Sequence, residues 1–161
     1  MIRAARPDDV PSILRLIREL AEYERAGHEV HATEDLLRDA LFSADPRVHA
    51  HIAEHSDGSV AGFALWFLNF STWLGRHGIY LEDLYVRPEL RGFGYGRALL
   101  SELAAICVER GYPRLEWWVL HWNPAREFYH GIGAVAMDEW VPYRIDGTAL
   151  GELAAGRPEA V

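Results

Sequence analysis

The clearest pattern of apolar and polar positions lies between residues 79 and 109, where a strand-like run is followed by a helix-like one. Residues 79–86 are rich in β-branched and aromatic side chains, and the run ends at Pro88, which has no amide hydrogen for a sheet. From Gly96 onward, apolar side chains recur every three or four positions, as on one face of a helix that ends near Gly111. The pattern predicts a strand, a glycine-rich loop and a helix in succession.

More strands are predicted on either side of this unit. Residues 115–120 form a further buried strand, which is parallel to the strand at 79–86 because the helix crosses over between them. Upstream, residues 2–5, 49–54 and 60–70 predict three strands, and the last two are joined in a hairpin by a turn at 56–59. The order predicts an antiparallel meander beside a βαβ unit.

Helix signals occupy the N-terminal third of the chain. Pro7, Asp8 and Asp9 begin a first amphipathic helix, for which Gly27 is predicted as the C-terminal cap. Thr33 begins a second helix of the same kind.

The C-terminal third predicts two shorter helices and a hairpin. Asn123 is the predicted N-cap of a short helix, with Pro124 as its first residue. Residues 134–137 and 140–145 predict a closing hairpin. A terminal helical segment follows, and we expect it to fray after about residue 156.

Length and composition predict one globular domain over residues 1–161, since half of the side chains are hydrophobic. The one cysteine, Cys107, lies on the apolar helix face and indicates a packing thiol in a reducing compartment. The chain has no N-terminal apolar signal region, and its longest uncharged apolar stretch, at 60–70, is too short to span a bilayer. A cytoplasmic location is therefore expected.

The formal net charge of −8 argues against a nucleic-acid partner, because phosphate binding requires a basic face. Cationic ligands fit this charge better. An acidic surface that merely keeps the protein soluble explains the charge as well.

The loop between the predicted strand and helix reads Arg91-Gly92-Phe93-Gly94-Tyr95-Gly96. Its glycines allow backbone amides to face an anion at the N-terminus of the helix. The dinucleotide fingerprint is disfavoured because position 97 is Arg97 rather than glycine, and the Gly-Lys-Ser/Thr of a P-loop is absent. The remaining pattern is Arg-x-x-Gly-x-Gly.

Tyr129, in the short helix opened by Asn123, is a candidate general acid. A tyrosine with a pKa of about 10 can give a proton to a leaving group when the two are held in contact. The alternative interpretation is a packing tyrosine beside Phe128.

Carboxylates interrupt the otherwise apolar strands. Glu82 and Asp83 are consecutive, so their side chains point to opposite faces unless a bulge intervenes. An ion pair with Arg87, or simple exposure, explains them without function. Glu116 raises the same question on the neighbouring strand. The histidines lack the spacing of a metal site, and none is predicted.

The chain resembles the GNAT superfamily of N-acetyltransferases, and within it the diamine (spermidine/spermine-type) branch. Besides the glycine loop, the resemblance is carried by residues 20–24, 73–75, 80–84, 122–123, 128–129, 140 and 144–146. It implies an α/β (α+β) fold with a mixed, mostly antiparallel central sheet, a parallel βαβ unit at its splayed centre and helices on both faces. It also implies a homodimer.

The resemblance implies a role for each matching position. Tyr129 and Glu82 are implied to be catalytic. The positions implied to bind acetyl-CoA are Leu84, Tyr85, Val86, Arg91, Gly92, Phe93, Gly94, Tyr95, Gly96, Arg97, Asn123, Pro124, Ala125 and Arg126. The positions implied to contact the amine are Tyr23, Glu24, Glu82, Asp83, Glu116, Trp117 and Trp118.

The expected function is direct transfer of an acetyl group from acetyl-CoA, without a metal, to a primary amine in a ternary complex. Glu24, Glu82 and Glu116 come from separate segments that such a sheet brings toward one cleft, which favours a small cationic amine: a diamine, a polyamine or a lysine-like amino acid. Glu116 departs from the polyamine enzymes. The alternatives are a protein or peptide N-acetyltransferase and a CoA-binding module without catalysis.

Overall fold

The computed structural model describes residues 1–157, and the described chain divides into two compact units, residues 1–118 and the residues from 119 onward. The prediction of one domain over residues 1–161 is not tested by this division. The N-terminal unit contains five strands: β1 Ile2–Ala4, β2 Val48–Glu54, β3 Val60–Ser71, β4 Arg76–Val86 and β5 Leu115–Trp117. Its α-helices are α1 Val10–Tyr23, α2 Glu34–Phe42 and α3 Tyr95–Arg110. Short 3-10 turns lie at Pro7–Asp9, Gly27–Glu29 and Pro88–Leu90.

The five strands form one sheet in the order β1-β2-β3-β4-β5. The first four are antiparallel neighbours, whereas β5 is parallel to β4 because α3 crosses over between them. The mixed sheet and its βαβ unit were both predicted and are confirmed. The β4–β5 ladder covers only Ile79 to Leu81, so among the described residues the C-terminal part of β4 has no strand on that side.

A β-bulge lies at Glu82. Leu65 of β3 is opposite Asp83 and the next residue, Trp66, is opposite Leu81, so β4 contains one extra residue between them. A bulge re-aims side chains and breaks the alternation of faces. Because of this bulge, the side chains of Glu82 and Asp83 need not point to opposite faces of the sheet.

Side chains fill both faces of the sheet. One core cluster joins α1 and α2 to the sheet through residues such as Ile13, Leu41, Ile52 and Phe63. Helix α3 packs against the strands through a separate buried row, Leu99, Leu100, Leu103 and Cys107. Gly94 and Gly111 cap the two ends of this helix, and its end at Gly111 is the one that the spacing predicts.

The first helix ends differently from the prediction. Helix α1 stops at Tyr23, and the left-handed residue after it is Arg25, with φ of 62°. Gly27 instead begins a 3-10 turn, so the cap predicted at Gly27 is wrong. The second helix begins as expected, since the Thr33 hydroxyl accepts a hydrogen bond from the amide of Leu36.

The C-terminal unit contains α4 Ala125–Gly131 and α5 Gly147–Ala155. The predicted hairpin at 134–137 and 140–145 is wrong, because these residues form no strand. Their apolar side chains, including Val135 and Tyr143, are largely exposed rather than packed on a partner strand. The expected fraying after residue 156 falls mostly on residues 158–161, outside the described chain.

Candidate active site

An acidic cluster lies where the bulge of β4 approaches the end of α1. Burial, with the negative charges of Glu82 and Glu24, raises the pKa of Asp83 to about 7. Burial also raises the pKa of Glu24. Arg87, considered from sequence as a partner for these carboxylates, instead pairs with Glu89 at 2.7 Å. The structure therefore brings together three of the predicted amine-contacting residues.

Tyr80 connects this cluster to β5. Burial and the charges of Glu82 and Glu116 raise the pKa of its hydroxyl to about 12. Tyr80 is opposite Glu116 in the parallel ladder, and its ring centroid lies 6.0 Å from that of Trp118. Trp117 is opposite Leu81 and so belongs to the other face. Sequence reasoning did not single out Tyr80, because it fits the apolar pattern of its strand.

Glu116 has protein partners of its own. The side-chain amide of Asn69 donates to one of its oxygens at 2.8 Å, and Arg114 lies 3.7 Å from the other. These contacts support the structural interpretation of this carboxylate. The negative charge of Glu116 nevertheless still acts on Tyr80 and helps to raise the pKa of its hydroxyl.

Arg91 packs against the tyrosine at the end of α1. Its guanidinium lies 5.1 Å from the ring centroid of Tyr23 and 5.6 Å from that of Tyr85, within the range of a cation–π contact. Its Nε donates to the Val86 carbonyl at 3.0 Å. Arg91 therefore connects a predicted coenzyme position with a predicted amine-contacting position.

The glycine loop has the backbone that an anion site requires. Gly92 and Gly94 both have φ of 85°, and a Cβ added to either would meet nothing within 4 Å. Gly94 caps α3 without a side-chain hydrogen bond. The first amides of the helix are therefore not satisfied by a cap side chain, and they form the positive end of the helix dipole. Phe93 and Arg97 are exposed beside them.

In the C-terminal unit, the Asn123 side chain accepts a hydrogen bond from the amide of Ala125 at 2.9 Å. Pro124 is the cap residue of α4, one position later than predicted. Arg126 donates to the His121 carbonyl at 3.2 Å. Tyr129 is partly buried, with its ring centroid 5.4 Å from that of Phe128. The contact between Tyr129 and Phe128, on which the packing interpretation of Tyr129 depends, is therefore present.

The described residues contain no group of three or more His, Cys, Asp or Glu side chains placed to hold a metal ion. His51 is buried, and its Nδ1 accepts a hydrogen bond from the Trp66 indole at 3.1 Å. None of the helices within residues 1–157 combines the length and apolar content that a membrane crossing requires.

Comparison with known proteins decides the family. A family model for the acetyltransferase (GNAT) family matches residues 13–134. The chain is 41% identical over 165 residues to the thialysine N-epsilon-acetyltransferase of Bos taurus, covering 96% of each chain. It is 32% identical over 194 residues to the L-ornithine N5-acetyltransferase of Arabidopsis thaliana, covering 92% of this chain and 85% of that protein. An integron cassette protein from the mobile metagenome of V. cholerae has a TM-score of 0.78 at 30% identity, with 96% of each chain covered.

The chain belongs to the acetyltransferase (GNAT) family. The resemblance predicted from the glycine loop and the flanking segments is thereby confirmed, as is the prediction of an N-acetyltransferase. Members of the GNAT family use acetyl-CoA as co-substrate.

The open side of β4 and the glycine loop fit this coenzyme. Beyond Leu81 no described strand pairs with β4 on the β5 side, so backbone groups from Leu84 to Val86 can pair with an extended amide-containing arm. The exposed amides at Gly92 and Gly94 follow directly, where a pyrophosphate is expected.

The acidic cluster predicts a pH dependence of stability that one substitution removes. The pKa of Asp83 is about 7 in the folded protein, above the ordinary value of 3.8 for this side chain, so the folded state holds this proton more tightly. Stability from this group is present at low pH and is lost as the pH rises from about 4 to about 7. We expect Asp83→Asn to abolish that loss, a difference of a few kcal/mol at most, since one pKa unit is about 1.4 kcal/mol.

The measurement is urea unfolding of wild type and Asp83→Asn at pH 5 and pH 8. Asp39→Asn, an exposed carboxylate on α2, is the matched control and should follow the wild type. If wild type and Asp83→Asn change equally between the two pH values, the carboxylate is not held in a protonating environment.

Proposed function

We propose that this enzyme transfers the acetyl group of acetyl-CoA to the terminal amine of a small substrate that carries a second positive charge. The observation that carries the proposal is the acidic cluster: the bulge at Glu82 lies beside Asp83, and burial with the charges of Glu82 and Glu24 raises the pKa of Asp83 to about 7. Crowded, partly buried carboxylates are unfavourable unless a cation neutralises them. A substrate ammonium group supplies that cation.

The aromatic residues beside the acidic cluster support a particular class of substrate. Tyr80 and Trp118 present aromatic surface on the same side of the sheet, suited to a methylene stem. The names of the relatives fit this class, because thialysine and ornithine are amino acids with an amine at the end of a short side chain. A lysine-like amino acid is our first choice, and a diamine or polyamine has the same chemistry.

Glu82 is proposed to deprotonate the reacting amine, whose pKa of about 10.4 keeps it charged at neutral pH. It is the exposed member of the bulge and so can act through a water molecule. Glu82 and the more buried Asp83 are together proposed to attract the second ammonium group, which also favours the charged form of Asp83. Tyr23 and Glu24 complete this side of the site.

Tyr129 is proposed to give the proton that the departing thiolate takes up. The backbone from Leu84 to Val86 is proposed to align the thioester arm, and the loop from Gly92 to Arg97 to hold the pyrophosphate. Asn123, Pro124, Ala125 and Arg126 are proposed to complete the coenzyme site. Once bound, acetyl-CoA supplies the activated acetyl group.

Glu82→Gln provides the test of the proposed substrate class. We expect wild-type kcat/KM to be roughly tenfold or more higher for a lysine analogue or a diamine than for a monoamine of equal length, because one ion pair in a partly buried site is of that order. The substitution should lower kcat and shrink this preference. The measurement is thiol release from acetyl-CoA across a panel of amines, with peptide substrates included.

Glu109→Gln, an exposed residue in the last turn of α3, is the matched control. A neutral monoamine as the best substrate, with an unchanged ranking in Glu82→Gln, contradicts the cation-binding role. A peptide as the best substrate favours the protein N-acetyltransferase instead.

We further propose that the enzyme is a cytoplasmic homodimer. The C-terminal unit exposes several large apolar side chains, among them Trp140, Val141 and Tyr143, and exposed apolar side chains of this kind support association. The buried free thiol of Cys107 supports a reducing compartment. Sedimentation equilibrium tests the dimer.

A further inference from the structure

A histidine from the turn between β2 and β3 contacts the beginning of α3. His55 Nδ1 and the Tyr95 hydroxyl lie 2.6 Å apart and share a hydrogen bond. The hydroxyl donates when Nδ1 is unprotonated and accepts when Nδ1 carries a proton, so the bond survives either state of the ring. The same imidazole contacts the rings of Phe93 and Tyr95 edge-on, with centroids 6.4 Å and 6.0 Å away. His55 therefore touches the glycine loop at two residues.

The turn that carries His55 is firmly held. The His55 amide donates to the Ser59 carbonyl at 2.8 Å, and the Gly58 amide donates to the His55 carbonyl at 3.1 Å. The Ser59 amide also donates to the Asp57 carboxylate at 2.8 Å. Glu54, the residue before His55, exchanges two backbone hydrogen bonds with Met1. His55 is thus presented from a fixed point on the sheet.

The glycine loop has few contacts of its own between its two ends. Gly92 and Gly94 adopt left-handed conformations in open space, and the N-terminus of α3 lacks a side-chain cap bond. Before these glycines, Arg91 donates to the Val86 carbonyl. After them, the Tyr95 hydroxyl is bonded to His55. The two hydrogen bonds fasten the loop at either end.

We propose that His55, through Tyr95, is a positioning residue that holds the glycine loop in the shape that binds the coenzyme pyrophosphate. The inference rests on the proposed function of that loop. A loop already held in its binding conformation loses less conformational freedom when a ligand binds, and so binds more tightly. His55 touches no reacting atom in this scheme, so its effect is confined to coenzyme binding.

The test compares His55→Ala, Tyr95→Phe and the double variant with His28→Ala, an exposed histidine of the 3-10 turn after α1. We expect His55→Ala and Tyr95→Phe each to raise the Kd for acetyl-CoA roughly three- to tenfold, the size of one lost hydrogen bond. The double variant should be no worse than either, because both remove the same bond. In His55→Ala, KM for acetyl-CoA should rise while kcat at saturation stays unchanged.

Two further measurements separate positioning from general damage. His55→Asn keeps an acceptor near the position of Nδ1 and should restore affinity to within about twofold of wild type, since the hydroxyl can still donate. Amide hydrogen exchange of the coenzyme-free protein should be faster at Ala98, whose amide donates to the Gly94 carbonyl, in His55→Ala and Tyr95→Phe, but not in His28→Ala.

Equal affinity and equal exchange in His55→Ala and His28→Ala would overturn the proposal, as would additive losses in the double variant. A different result is expected if the glycine loop is not the coenzyme site. In that case Gly94→Glu leaves acetyl-CoA affinity intact, whereas exchange of the Ala98 amide still reports whether His55 orders the loop.

Discussion

Replacing Tyr129 by phenylalanine is expected to lower kcat roughly a hundredfold or more while leaving acetyl-CoA affinity nearly unchanged. A general acid typically contributes a factor of about 100 to 10,000, and the hydroxyl is the only group that this substitution removes. The ring remains available for the contact with Phe128, whose centroid lies 5.4 Å away. A large loss of turnover without a loss of binding therefore reports proton transfer rather than packing.

The chain offers a matched control for this substitution. Tyr143 belongs to the same C-terminal unit and is 92% exposed, so Tyr143→Phe makes the same chemical change on the surface. It should retain wild-type kcat. Single-turnover kinetics at saturating acetyl-CoA and amine provides the measurement. Near-normal turnover of Tyr129→Phe at saturation returns this residue to the packing interpretation.

The central βαβ unit could be predicted because its signals are local. An apolar run ended by Pro88, helical spacing from Gly96 and a left-handed Gly111 each specify structure within a few residues. The same kind of local signal failed at residues 134–145. Alternation in that segment resembles a hairpin, but a strand also needs a neighbouring strand, and the described side chains there are mostly exposed.

The acidic cluster was only partly predictable. Glu82 and Asp83 stand out as charges in an apolar strand, yet the extra residue that re-aims them appears only in the pairing with Leu65 and Trp66. A bulge leaves no mark in a single strand, because it is a mismatch between two strands. The pKa of Asp83 depends on its burial and on the charges of Glu82 and of Glu24, which is 59 positions away in the chain.

Contacts between turns that are distant in the sequence could not be predicted from the apolar and polar pattern either. His55 follows a strand and Tyr95 begins a helix, and 40 positions separate them. Nothing in the sequence around either residue indicates that the two are in contact, because their proximity follows from the order of β2, β3 and β4 in the sheet. The sequence thus indicates which residue types carry chemistry, whereas sheet register and turn packing decide which of them meet.

Gly94→Glu is expected to weaken acetyl-CoA binding by roughly a hundredfold or more, which corresponds to about 2.7 kcal/mol. The new carboxylate stands at the N-terminus of α3, where the helix dipole favours negative charge, so it competes with the pyrophosphate for the same amides. It also repels the phosphates directly. Space for the side chain is available, since an added Cβ at Gly94 meets nothing within 4 Å.

Backbone strain must be separated from charge, because Gly94 has φ of 85° and any other residue there is strained. Gly94→Ala introduces the strain alone and should weaken binding much less than Gly94→Glu. Gly75→Glu places the same charge on another left-handed glycine, with φ of 62° and open space, in the turn between β3 and β4. Calorimetric titration of the folded variants should therefore give wild-type affinity for Gly75→Glu and a large loss only for Gly94→Glu. Equal affinities in all four proteins place the pyrophosphate site elsewhere in the chain.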